Sequence, residues 1–169
     1  MDVYTLHRGG APLLISLPHN GTELPDELRP RLTESALRVP DTDWHVDRLY
    51  EFAHELDASI LVPRYSRYVI DLNRPPNDVS LYPGQNTTGL CPMQQFSAEP
   101  VYRDGMQPDR DEVNQRVNKY WKPYHLALQQ ELVRIKNMST CWFKNSEKPS
   151  CEAFSTKAAA LREDRRSLV

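Results

Sequence analysis

His19 follows the apolar run 13–17 and lies in the breaker cluster Pro18-His19-Asn20-Gly21. Alone it would read as a turn histidine. The chain then supplies Asp41, Asp43 and Asp47, and imidazole and carboxylate together suit a borderline cation such as zinc. A catalytic zinc site takes three protein ligands and keeps one position open. Asp41 reads as a helix N-cap or as part of this cluster, and Asp43 as a residue favoured by the helix dipole or as a ligand. Asp47 reads as solvated or paired with Arg48 or Arg64. On a helix His45 points away from the Asp43 face, and His54 and His125 read as surface or satisfied helix residues.

A second constellation is Ser66-Arg67-Tyr68-Val69-Ile70-Asp71-Leu72-Asn73-Arg74. Strand alternation puts Arg67, Val69 and Asp71 on one face and Tyr68, Ile70 and Leu72 on the other. Asn73 and Arg74 then stand at the strand's carboxyl end. Arginine there suits bidentate capture of a carboxylate, and Asn adds a neutral donor. The alternative is a set of surface charges with Arg67 paired to Asp71. A third stretch, residues 80–92, sets short donors between Gly84 and Gly89 and could line an anion site, although it lacks the P-loop pattern.

The elements that must position these groups follow from periodicity. Residues before Pro12 read as a frayed edge strand and a turn at Gly9-Gly10. The run 13–17 has the length of a buried strand, and in open α/β sheets ligands bind at strand carboxyl ends. Pro25 and Pro30 restrict residues 24–37 to short helical pieces. Val46, Leu49, Tyr50, Ala53 and Leu56 fall at helical spacing, which predicts one amphipathic helix over 43–56. Residues 59–62 and 67–72 read as a second and a third strand. The stretch 73–108 has no periodicity but carries Leu81, Tyr82, Leu90, Phe96, Val101 and Tyr102. It reads as an ordered lid or wall over a site.

Pro108 opens the longest helix, with Val113, Val117, Tyr120, Tyr124, Leu128, Leu132 and Ile135 in one stripe and a kink at Pro123. Tyr120, Trp121 and Tyr124 read as core. Beyond Lys136 the apolar pattern fades, so residues 137–169 are expected to form a poorly packed or disordered tail. Strand, helix, strand in this order points to an α/β layer fold.

Composition narrows the function classes. With 169 residues, a net charge of −2 and ordinary hydrophobic content, one soluble domain is expected. That charge makes no case for nucleic acid or an anionic membrane, and no apolar run is long enough to span one. Three cysteines without CxxC spacing, and a start that does not resemble a signal peptide, point to reduced thiols and a cytoplasmic location.

Taken together, four segments resemble the N-formylglutamate amidohydrolase (deformylase) family of bacterial histidine degradation. They are Ile15-Ser16-Leu17-Pro18-His19-Asn20-Gly21-Thr22, Pro40-Asp41-Thr42-Asp43-Trp44-His45-Val46-Asp47-Arg48-Leu49-Tyr50, residues 66–74 and residues 80–92. The last is the most specific, and the resemblance runs from about residue 10 to residue 136. It implies a three-layer mixed sheet between helices, only part of which is present, as in zinc-carboxypeptidase-like (phosphorylase/hydrolase-like) folds. It also implies hydrolysis of N-formyl-L-glutamate to glutamate and formate by a zinc-bound water. In these terms His19 and Asp43 are metal ligands, and Asn73, Arg74 and Arg67 contact the dicarboxylate substrate.

After Lys136 the chain departs from that pattern. The family continues with an apolar strand ending in Ala-His-Ser that supplies a further histidine ligand, whereas residues 137–169 contain no histidine. The expectation is an N-terminal family portion over 1–136 joined to a divergent tail over 137–169, as a frameshift or truncation would leave. Such a chain should bind metal weakly and have little or no deformylase activity alone. The alternative is a non-catalytic chain that binds dicarboxylates or pairs with another chain, its own kind included, through an uncovered sheet edge.

Overall fold

Ser59–Pro63 (β3) is the middle strand of a small mixed sheet. Tyr4–His7 (β1) pairs with it antiparallel, Tyr4 opposite Pro63, and Leu14–Ser16 (β2) pairs parallel, Ile15 opposite Ile60. The computed structural model describes residues 2–78 and 88–144, with side chains as far as 138. Period-two alternation assigns the two faces. Ile15, Leu17, Ile60 and Val62 pack with Val46 and Ala53 on one side, while Leu6, Leu14 and Leu61 join the larger core on the other. The sheet is therefore covered by helix on both faces, the α/β layering expected from the chain order.

The expected helix over 43–56 forms as two short ones, Val46–Leu49 (α1) and Phe52–Glu55 (α2). Asp43 N–H donates to the His19 carbonyl, Asp47 N–H donates to Asn20 Oδ1, and His45 takes a left-handed φ of 64°. These bonds tie the segment to the His19 turn and prevent a straight helix from starting at Asp41 or Thr42. The apolar stripe is covered only in part. Ala53 is buried, but Leu49 and Tyr50 are exposed.

Residues 67–72 are not a strand. Ser66 captures the Tyr68 N–H with Oγ and the Val69 N–H with its carbonyl, and Asp71 captures the Asn73 and Arg74 N–H groups with Oδ1 and its carbonyl. Ser and Asp side chains compete with ladder pairing in this way, and here the local bonds win. The segment is a series of turns, yet it is buried throughout: Tyr68, Val69, Ile70 and Leu72 lie in the main core. Burial also places Arg67 and Asp71 face to face inside the protein, not on its surface.

The short helical pieces expected over 24–37 are the 3-10 turns Arg29–Arg31 and Ala36–Arg38. Within 73–108 the described residues form only isolated bridges, with Leu90, Val101 and Tyr102 buried and Phe96 exposed. Leu81, Tyr82 and most of the 80–92 stretch lie outside the described residues. Asp109 caps Arg110–Arg116 (α3) by accepting the Glu112 N–H at 2.8 Å. Just before Pro123 the chain passes through a π-helical turn, Val117–Trp121, into Lys122–Lys144 (α4). The widened turn leaves room for a proline ring that would otherwise strike the carbonyl four residues back.

Two details of this helix differ from the expected stripe. Leu132 is exposed and its place is taken by Glu131, whose buried carboxylate accepts from Ser59 Oγ at 2.6 Å, from Arg134 and from Arg8. α4 also continues past Lys136 to Lys144; residues 145–169 lie outside the described residues.

Candidate active site

β2 delivers the first functional side chain. Leu17 N–H still bonds to the Leu61 carbonyl at 3.0 Å, and then Pro18 breaks the ladder and a turn closed by Asn20 N–H on the Leu17 carbonyl presents His19. Gly21 is needed in this turn: a Cβ there would lie 2.1 Å from the Tyr65 carbonyl oxygen.

The His19 ring is held from both sides. Nε2 lies 2.7 Å from Asp71 Oδ1, and Nδ1 lies 3.9 Å from Asp43 Oδ2. An ionised carboxylate only accepts, so the Asp71 contact places a proton on Nε2 and leaves Nδ1 as the ring nitrogen that faces Asp43. Asp71 is 1% exposed, and its second oxygen accepts from Arg67 Nη2 at 2.6 Å. Burial alone would raise this carboxyl, but the His19 hydrogen bond and the Arg67 charge outweigh it and hold Asp71 below its ordinary value. Asp43 is 53% exposed and free to turn toward a ligand.

Arg67 lines the next part of the site. Its side chain is 6% exposed, its Nη2 also approaches Thr88 Oγ1 at 3.4 Å, and its guanidinium lies 4.7 Å from the centre of the Phe96 ring. Its Nε is buried with no hydrogen-bond partner among the described residues. A buried guanidinium with an unmatched donor is a place for an acceptor. Asn73 is exposed and Arg74 half-buried. Their backbone N–H groups bond to Asp71 Oδ1 at 2.9 Å and to the Asp71 carbonyl at 3.1 Å.

The structure thus gathers His19, Asp43, Asp71 and Arg67 and joins Asn73 and Arg74 to them through the Asp71 turn. Asp41 does not share the cluster; it neither caps a helix nor meets His19, and its Oδ2 accepts the Phe96 N–H at 3.0 Å. Asp47 and His45 are exposed, Arg64 pairs with Glu23, and His54 meets His7 edge-on. His125 stacks on Trp121, as a satisfied helix residue should. The strand reading gave Asp71 no role beyond pairing with Arg67. Its position two residues before Asn73, the spacing of an Asx turn, was the available signal.

Among the described residues no group of three or more His, Cys, Asp or Glu side chains is placed to hold a metal ion. His19 and Asp43 offer one nitrogen and one oxygen of the types zinc takes, one fewer than a catalytic zinc site uses.

A histidine oriented by a buried carboxylate, beside a buried arginine at the end of a parallel strand, defines an α/β protein with a candidate site for an anionic ligand. The sequence model of the N-formylglutamate amidohydrolase family matches residues 11–144. The chain belongs to that family. N-formylglutamate deformylase of Pseudomonas putida is 47% identical over 134 residues, which are 79% of this chain and 50% of the relative. Its counterpart in Pseudomonas aeruginosa is 48% identical over 135 residues, again 50% of the relative. The crystal structure of N-formylglutamate amidohydrolase from Ralstonia eutropha JMP134 superposes with a TM-score of 0.65 at 27% identity, covering 81% of this chain and 53% of that one. The chain spans about half the length of the curated relatives it matches.

Proposed function

We propose that this chain carries the N-terminal part of a metal-dependent N-formylglutamate deformylase, the cytoplasmic enzyme of histidine degradation that releases formate and glutamate. By itself we take it to be impaired or inactive. The observation that carries the reading is the His19 ring, tied at Nε2 to the buried Asp71 and open at Nδ1 toward Asp43. Metal-ligating histidines are oriented in this manner by a carboxylate on the other nitrogen. His19 and Asp43 would hold zinc, and the bound ion would lower the pKa of a water from about 15.7 to about 7 for attack on the formyl carbonyl.

The remaining residues bind and orient. The unmatched Nε of Arg67 and the guanidinium of Arg74 supply donors for the two carboxylates of formylglutamate, and Asn73 adds a neutral donor. Asp71 keeps the His19 proton on Nε2 and holds Arg67 in place through its second oxygen. With two ligands among the described residues instead of three, metal affinity should be low. The same reading puts the domain in the carboxypeptidase-like class of three-layer sheets, with a family portion that the sequence model follows to residue 144 and a divergent tail after it.

Metal content after dialysis, measured with formate release from N-formyl-L-glutamate, tests this. Substoichiometric zinc and little formate are expected. Stoichiometric zinc with brisk turnover would overturn the claim of impairment, while loss of neither metal nor turnover in His19→Ala would overturn the site itself.

A second reading is favoured by β2. Leu13 and Leu17 bond to β3, so in a parallel ladder the N–H and C=O groups of Leu14 and Ser16 face outward. This edge, which no described strand covers, suits a non-catalytic chain that binds dicarboxylates and pairs with another chain, a second copy included. Size-exclusion chromatography with added glutamate separates the two, since a monomer without a glutamate response excludes the second reading. Among the described residues no helix is long and apolar enough to cross a membrane.

A further inference from the structure

Trp121 reaches from the long helix to the loop that follows Asp71. Its Nε1–H donates to the Arg74 carbonyl oxygen at 2.8 Å. It is the last residue of the π-helical turn Val117–Trp121. One extra residue in a turn rotates the following helix face by about 100°. The wide turn that makes room for Pro123 therefore also sets the direction of the indole, and such turns recur at functional sites.

The indole is itself fixed. The His125 ring stacks on it with centroids 3.6 Å apart and planes 12° from parallel, and His125 Nδ1 meets the Trp121 carbonyl at 3.0 Å. Arg74 is consequently pinned at both ends of its backbone. Its N–H bonds to the carbonyl of Asp71, the residue that orients His19, and its C=O bonds to Trp121. Its guanidinium, unlike those of Arg64 and Arg67, pairs with no carboxylate among the described residues. A fixed backbone narrows the positions an unpaired guanidinium can reach, and less freedom is then lost when an anion binds.

We propose that Trp121 is a positioning residue for Arg74, and that its indole N–H sets the carboxylate-binding geometry of the Asn73–Arg74 turn. This rests on the reading that Arg74 takes a substrate carboxylate. The test is a double-mutant cycle on the full chain, with L-glutamate and N-formyl-L-glutamate titrated calorimetrically and unfolding followed in parallel. Arg74→Ala should weaken binding about tenfold or more through loss of a charge-assisted contact. Trp121→Phe keeps an aromatic ring against His125 but deletes the donor, and should weaken binding about fivefold, the worth of one hydrogen bond. If Trp121 acts through Arg74, the double variant binds no more weakly than Arg74→Ala alone.

Unchanged binding in folded Trp121→Phe, or losses that multiply in the double variant, overturns the proposal. If the wild type binds neither probe, or binds them as Arg74→Ala does, the reading of Arg74 fails and the proposal fails with it. Should Trp121→Phe not fold, the chain carrying Trp44→Phe and Trp142→Phe leaves Trp121 as the sole indole. Its emission must then change on glutamate addition, and must not change once Arg74→Ala is added. Any other pattern overturns the proposal.

Discussion

Nε2 of His19 lies 2.7 Å from Oδ1 of Asp71 although 52 residues separate them in the chain. Asp71 spends its other oxygen on Arg67 and its backbone on the turn that carries Asn73 and Arg74. One buried carboxylate therefore orients the candidate ligand, neutralises the candidate anion-binding arginine and shapes the loop beyond it.

Asp71→Asn should injure site and fold together. Removing one partner of a buried ion pair leaves Arg67 uncompensated, at a cost of about 3 kcal/mol or more. Losing the carboxylate behind a metal-ligating histidine should also lower zinc affinity by about tenfold to a hundredfold. Urea unfolding and a zinc titration of the same variant check both.

Asp43→Asn should separate the two effects. Asp43 is more than half exposed and, among the described residues, approaches only the His19 ring with its carboxylate, so stability should change by less than about 0.5 kcal/mol. Zinc binding, measured against a competing chelator, should nevertheless fall as steeply as in Asp71→Asn.

Gly21→Ala tests the turn that presents His19. The added Cβ would lie 2.1 Å from the Tyr65 carbonyl oxygen, and a backbone atom cannot swing aside as a flexible side chain can. A loss of about 1–3 kcal/mol is expected from overpacking. The His19 imidazole resonance in an NMR spectrum should shift with it.

Glu131 sets an acid limit on the fold. Hydrogen bonds from Arg134 outweigh burial, and with Ser59 and Arg8 they bring its carboxyl from 4.5 down to about 2. A folded value below the unfolded one contributes stability above about pH 4.5, which is lost as the pH falls toward 2. Asp71, also depressed, adds to the same loss. Urea midpoints should drop through that window, and Glu131→Gln should flatten the drop while lowering stability at pH 7.

Local sequence determined the parts whose causes are local. A short run with four apolar residues, bounded by Pro18, made a strand that stops before His19, Asp109 capped the long helix, and the prolines near 25 and 30 kept that segment to short 3-10 turns. The motif order also pointed to the right family, because residue types at chemically useful intervals survive in the chain whatever the backbone does between them.

Tertiary structure decided what depends on packing partners far away in sequence. Periodicity over 43–56 was real, but the small sheet and the tether from His19 to Asp43 broke the helix in two. Alternation over 67–72 was real as well, yet Ser66 and Asp71 drew the backbone into turns, and burial moved the Arg67–Asp71 pair from the surface to the interior. The role of Asp71 follows from that move. A carboxylate removed from water is held by a few short contacts, and only the fold brings His19 and Arg67 to it, just as only the π turn before Pro123 brings Trp121 to Arg74.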